Sequence, residues 1–64
     1  MNNYRVNGPN GKRKFSKLSD AKREAILQRA NLPEDAEYLV SVEQREETED
    51  IYSHIEYSVW VPIY

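Results

Sequence analysis

Apolar and polar residues alternate most strictly at the C-terminal end of the chain. Ile55, Tyr57, Val59, Val61 and Ile63 point one way and Tyr52, His54, Glu56, Ser58, Trp60 and Tyr64 the other. A period of two over this length predicts a strand from Ile51 to Tyr64 with the first set facing inwards. Tyr38, Val40 and Val42 repeat the alternation against Leu39, Ser41 and Glu43, so a partner strand is expected over 38–45. The run Glu46-Glu47-Thr48-Glu49-Asp50 between them reads as a hydrophilic turn. At the other end Tyr4 and Val6 alternate with Arg5. Asn7-Gly8-Pro9-Asn10-Gly11 then supplies the residues of tight turns, and Lys12 to Phe15 makes a short return strand whose cations suit an exposed edge.

The middle of the chain changes period. Ala21 to Ala30 holds good helix formers and neither glycine nor proline. Ser19 is expected at the N-cap and Asp20 at the positive end of the helix dipole, while Pro33 ends the helix. Its apolar residues form two faces: Ile26, Leu27 and Ala30 on one, Ala21 and Ala25 on another roughly beneath Leu18 and Leu32. The larger residues make the first face the expected core side.

The order is ββαββ, which predicts a single small α+β domain over 1–64, an antiparallel sheet with one helix packed on its inner face. The expected core is Val6, Phe15, Ile26, Leu27, Val40, Val42, Ile55, Tyr57, Val59 and Val61. Sixty-four residues bury only roughly 60% of their unfolded surface, and the absence of cysteine removes disulfides as a source of added stability. Good packing or self-association is left. No apolar run approaches the roughly 20 residues of a membrane span, and the polar start Met1 to Tyr4 is unlike a signal peptide, so a cytoplasmic protein without membrane contact is expected.

The net charge of −2 hides a strong segregation. Up to Ala30 eight basic residues face two acidic ones, and beyond it Arg45 alone faces nine carboxylates. Such opposed fields steer a charged partner and orient its docking, or else neutralise each other across the surface of one small domain. The acidic residues Glu43, Glu46, Glu47, Glu49 and Asp50 form a candidate acidic surface. Against a basic nucleic-acid-binding protein they would imitate a phosphate backbone; otherwise they are a solvated turn.

Candidate chemistry is sparse. His54, Glu56 and Ser58 share a strand face, but an exposed strand excludes no water and nothing orients them as nucleophile and base. One imidazole and scattered carboxylates do not close a coordination shell. Gly8-Pro9-Asn10-Gly11-Lys12 departs from a phosphate loop in its glycine spacing, in Arg13 after the lysine, and in the strand that follows. The expectation is therefore a non-enzymatic protein with no cofactor, metal or catalytic residues.

The outer sheet face carries more. Tyr52, His54, Trp60 and Leu39 are expected there beside Arg5, Lys12 and Lys14, and aromatics and cations of this kind anchor protein interfaces. The candidate partner-binding residues are Arg5, Lys12, Arg13, Lys14, Tyr52, His54, Trp60 and Tyr64. The same composition on a sheet also stacks bases and neutralises phosphates, so RNA or single-stranded DNA binding through the basic hairpin and the sheet aromatics is the alternative. The strand ending at Phe15, then Leu18-Ser19-Asp20-Ala21, a short helix, Leu32-Pro33 and the strand with Tyr38-Val40-Val42 make a layout that resembles small phage-encoded inhibitors of bacterial enzymes over about half the chain. That resemblance implies a free-standing interaction protein that binds and modulates a protein partner; it names no target and assigns no residue. A homodimer is a further expectation, because a strand over 51–64 outruns its partner over 38–45 and the overhang from Val59 to Tyr64 needs backbone partners.

Overall fold

The structure, a computed structural model, describes residues 2–64; Met1, the first residue of the polar start, lies outside it. Strands β1 (Tyr4–Gly8) and β2 (Gly11–Phe15) precede helix α1 (Leu18–Ala30). A 3-10 helix (Glu34–Leu39) then leads into β3 (Ser41–Glu49) and β4 (Glu56–Pro62). All pairings are antiparallel and the sheet order is β2-β1-β3-β4, so this is the ββαββ α+β domain that the alternation predicts. The first hairpin closes where Gly8 faces Gly11, across Pro9 and Asn10. Gly11 has φ +117°, a conformation that L side chains rarely adopt.

The helix begins one residue before the expected cap. Lys17 holds the N-cap position in extended geometry without a side-chain cap, and Ser19 already belongs to the first turn. Asp20 lies in that turn, as the helix dipole favours. At the far end Asn31 and Leu32 donate to the carbonyls of Gln28 and Arg29 at 3.2 and 3.1 Å, and Pro33 stops the coil.

The buried core is small: Val6, Val40 and Val42 from the sheet side, Ala21 and Ala25 from the helix. Tyr4, Phe15, Leu18 and Leu32 pack around its margin. The helix therefore turns its small face inwards, not Ile26 and Leu27, which stand 54% and 56% exposed. Alanines let the helix lie close to β1. A methyl on Gly8 would run into the side chain of Gln28. Larger residues facing the sheet would hold the two layers apart and uncover Val6 and Val42.

The second half of the chain departs from expectation in its boundaries. Residues 34–39 coil into the 3-10 helix, with the Ala36 N–H donating to the Pro33 carbonyl at 2.9 Å, and Tyr38 is left 80% exposed. β3 runs through the acidic stretch to Glu49, and the turn falls at Asp50 to Ile55. Acidic residues tolerate a strand here because this part of the hairpin lies beyond the helix, where both faces meet water. Tyr57 and Val59, across from Thr48 and Glu46, supply its β character. Ile55 belongs to the exposed loop, and Tyr57 is half exposed. β4 pairs along its whole length, Glu56 with Glu49 through to Pro62 with Glu43. No segment overhangs, so that argument for a dimer does not hold.

Candidate functional site

On a pleated sheet, residues directly opposite share a face. The face away from α1 carries Lys12 and Lys14 on β2, Arg5 and Asn7 on β1, Glu43, Arg45, Glu47 and Glu49 on β3, and Glu56, Ser58, Trp60 and Pro62 on β4. Arg5 organises its centre. Its Nε donates to Glu43 Oε1 at 2.7 Å and its guanidinium lies 4.4 Å from the Trp60 ring centroid, a cation–π stack. Arg45, opposite Trp60, has Glu47 at 3.4 Å. Lys14 stands across from Arg5 and Lys12 across from Asn7, and neither lysine has an ion-pair partner among the described residues.

Of the eight partner-binding candidates this face gathers Arg5, Lys12, Lys14 and Trp60. Arg13 is on the helix side, opposite Val6, with Glu24 at 3.7 Å and the Phe15 ring at 5.3 Å. Tyr52 and His54 sit in the exposed β3–β4 loop, where His54 has φ 57° and its Nδ1 is 3.1 Å from Glu49 Oε1. Tyr64 lies against the helix, its ring 5.2 Å from Lys22 Nζ and 4.8 Å from the Arg29 guanidinium.

The acidic candidates are divided in the same way. Glu43 is taken by Arg5, Glu47 and Glu49 share the outer face, and Glu46 is on the inner face opposite Val59. Asp50 shapes the loop: its carboxylate accepts from the Tyr52 N–H at 2.8 Å and the Ser53 N–H at 3.4 Å. Those bonds, Tyr52's first, hold its pKa below the ordinary carboxylate value. Among the described residues no group of three or more His, Cys, Asp or Glu could hold a metal ion. No helix among them is long and apolar enough to cross a membrane. A shallow hollow of about 380 Å³ between the first hairpin and α1 is lined by Asn10, Gly11, Lys12, Arg13, Glu24 and Gln28.

Two features escape a reading of the sequence. The first is the Arg29 side chain, which donates to the carbonyl oxygens of Val40 (2.9 Å) and Tyr64 (2.5 Å) and pins the chain end to the helix. The second is the free side of β4. The helix packs mainly on β1, with lesser contact to β2 and β3, so Tyr57, Val59 and Val61 face inwards without full cover. Asp50 donates to Ile55 and Ile63 to Val42, at 3.0 and 2.8 Å, and these bonds bracket the β3–β4 ladder. Antiparallel alternation then turns the odd-numbered residues of β4 to β3 and leaves the N–H groups of Glu56, Ser58 and Trp60 on the open edge. Pro62 falls on that edge too, where its missing N–H costs the ladder nothing.

No known protein family, characterised protein or solved structure matches the chain.

Proposed function

We propose that this chain is a non-enzymatic interaction protein that binds, and thereby modulates, a protein partner through the outer face of its sheet. Trp60 is the anchor and Lys12 and Lys14 supply charge for an acidic partner surface. The observation that carries the reading is the Arg5–Trp60 stack at 4.4 Å on the face opposite the helix. A large aromatic ring held in place by a guanidinium is preorganised, so little rotamer entropy remains to be lost on docking. A nucleic-acid surface of the same kind fits less well. Arg5 is neutralised by Glu43, Arg13 points to the other face, and Glu47, Glu49 and Glu56 would repel a phosphate chain running along the outer face. A second copy of the chain is also proposed as a partner, at the open edge of β4.

The test is affinity capture from lysate with the tagged chain, with and without nuclease, beside Trp60→Ala and the pair Lys12→Glu, Lys14→Glu. The expected result is a protein retained after nuclease and lost by at least roughly tenfold in Trp60→Ala, the loss of an aromatic anchor. Capture that disappears with nuclease, or tight binding of single-stranded RNA at low salt, would replace the protein by a nucleic acid.

A further inference from the structure

The open edge of β4 is complementary to itself. We infer that two copies join by antiparallel pairing of their β4 strands, in the register that sets Val59 opposite Val59 of the second copy and extends the sheet to eight strands. This goes beyond the outer-face reading and does not depend on it.

Three observations lead to that register. The first is the set of outward N–H groups. With Val59 on the two-fold axis, Ser58 and Trp60 exchange bonds with Trp60 and Ser58 of the other copy, and the Glu56 N–H reaches the carbonyl of the other Pro62. All three outward donors of each copy are used. The residue without a donor meets only the Glu56 carbonyl, which keeps its water. This is also the register in which Glu56–Pro62 overlaps itself completely.

The second observation is the apolar inner face. Tyr57 falls opposite Val61 of the other copy and Val59 opposite Val59, so one incompletely covered strip closes on another. Aromatic and β-branched side chains make favourable cross-strand pairs. No pair of like charges stands directly opposite in this register, since Glu56 faces Pro62.

The third is charge. Antiparallel pairing keeps the acidic loop ends of the two hairpins, with Glu49, Asp50 and Glu56, at opposite ends of the new seam, each beside the base of the other hairpin, where Lys22 and Arg29 flank Tyr64. A parallel arrangement would bring the two acidic ends together. The other edge is unsuited to the same role: all of β2 but Phe15 is exposed, and Lys12, Arg13 and Lys14 would repel their own copies.

Sedimentation equilibrium of the full chain up to millimolar concentration is the first measurement, with a mass rising to twice 7.6 kDa expected. The chain has no cysteine, so single cysteines report the register under mild oxidation. Val59→Cys puts two thiols on a non-hydrogen-bonded pair with Cα atoms about 4.5 Å apart, within disulfide range. Tyr57→Cys would lie about 14 Å from itself but opposite Val61→Cys of another copy. Expected are a covalent dimer of Val59→Cys and a mixed dimer of Tyr57→Cys with Val61→Cys, each at least tenfold faster than Tyr57→Cys alone. Circular dichroism first checks that each variant is folded. A monomer at every concentration overturns the inference, as does a dimer in which Tyr57→Cys links to itself as fast as Val59→Cys does. Either result leaves the outer-face reading standing, because capture by Trp60 does not enter these measurements.

Discussion

Val6 and Val42 are completely covered while Ile26, Leu27 and Ile55 stand more than half exposed, so side-chain size is a poor guide to what each residue contributes here. Val42→Ala or Val6→Ala removes two methyl groups from the close-packed core, and each is expected to lower the unfolding free energy by roughly 2 kcal/mol in chemical denaturation. Ile26→Ala and Ile55→Ala should stay within about 0.5 kcal/mol. Enlarging Ala25 tests the same geometry from the other side, because Ala25→Leu must lift the helix off β1, at roughly 1–3 kcal/mol. The valines could be read from the sequence because alternation marks a strand face directly. The alanines could not. Nothing local says that a helix will prefer the face that fits closely over the face that is greasier, and Gly8 makes that close fit available only once β1 lies beneath the helix. The two glycines differ in a further way. Gly11→Ala has open space around it yet is expected to cost roughly 1–3 kcal/mol for its positive φ, whereas Gly8→Ala needs only the flexible Gln28 side chain to swing aside.

Among the elements, the β3–β4 hairpin separates what a pattern reveals from what it hides. The phase of its strands was legible: Val42 is buried under the helix together with Val40 just before β3, and Tyr57, Val59 and Val61 share one face of β4, because a one-residue slip would reverse every side chain. Its ends were not. An acidic run resembles a turn when solvent is its only expected surroundings, yet beyond the edge of a helix a strand is equally solvated, and cross-strand pairing with Tyr57 and Val59 decides the matter. The candidate site divided along the same line, since Arg5, Lys12, Lys14 and Trp60 follow from strand phase and fall together, whereas Tyr52 and His54 depended on a strand boundary and fall in the loop. The loop gives its own test. Asp50 has a folded pKa below its unfolded one, so its contribution is complete above the unfolded value and is lost as pH falls through the folded one. An NMR titration is expected to show the Tyr52 and Ser53 amides shifting with Asp50 below the usual carboxylate range, and Asp50→Ala should abolish that shift and broaden the loop resonances.

Over the whole molecule, order is unevenly distributed along a shape of 44 × 23 × 17 Å. The five residues buried among those described lie where the helix crosses β1 and the start of β3, and the outer half of the β3–β4 hairpin extends past them, held by its ladder and by side chains that water reaches. Hydrogen exchange is expected to show the slowest amides at Val6 and Val42 and much faster exchange at Thr48 and Tyr57, with the hairpin opening before the domain unfolds. Equal protection along β3 in dilute monomer would contradict this. A core of three valines and two alanines has a calorimetric consequence as well. The heat absorbed per degree on unfolding grows with the apolar surface newly wetted, and a typical chain of this length would show a heat-capacity increment on the order of 0.8–1.0 kcal/mol/K. With Ile26, Leu27, Tyr38, Ile51, Tyr52 and Ile55 already wet in the native state, the increment should fall clearly below that figure. The stability curve is then only weakly curved, with little fall in stability on cooling.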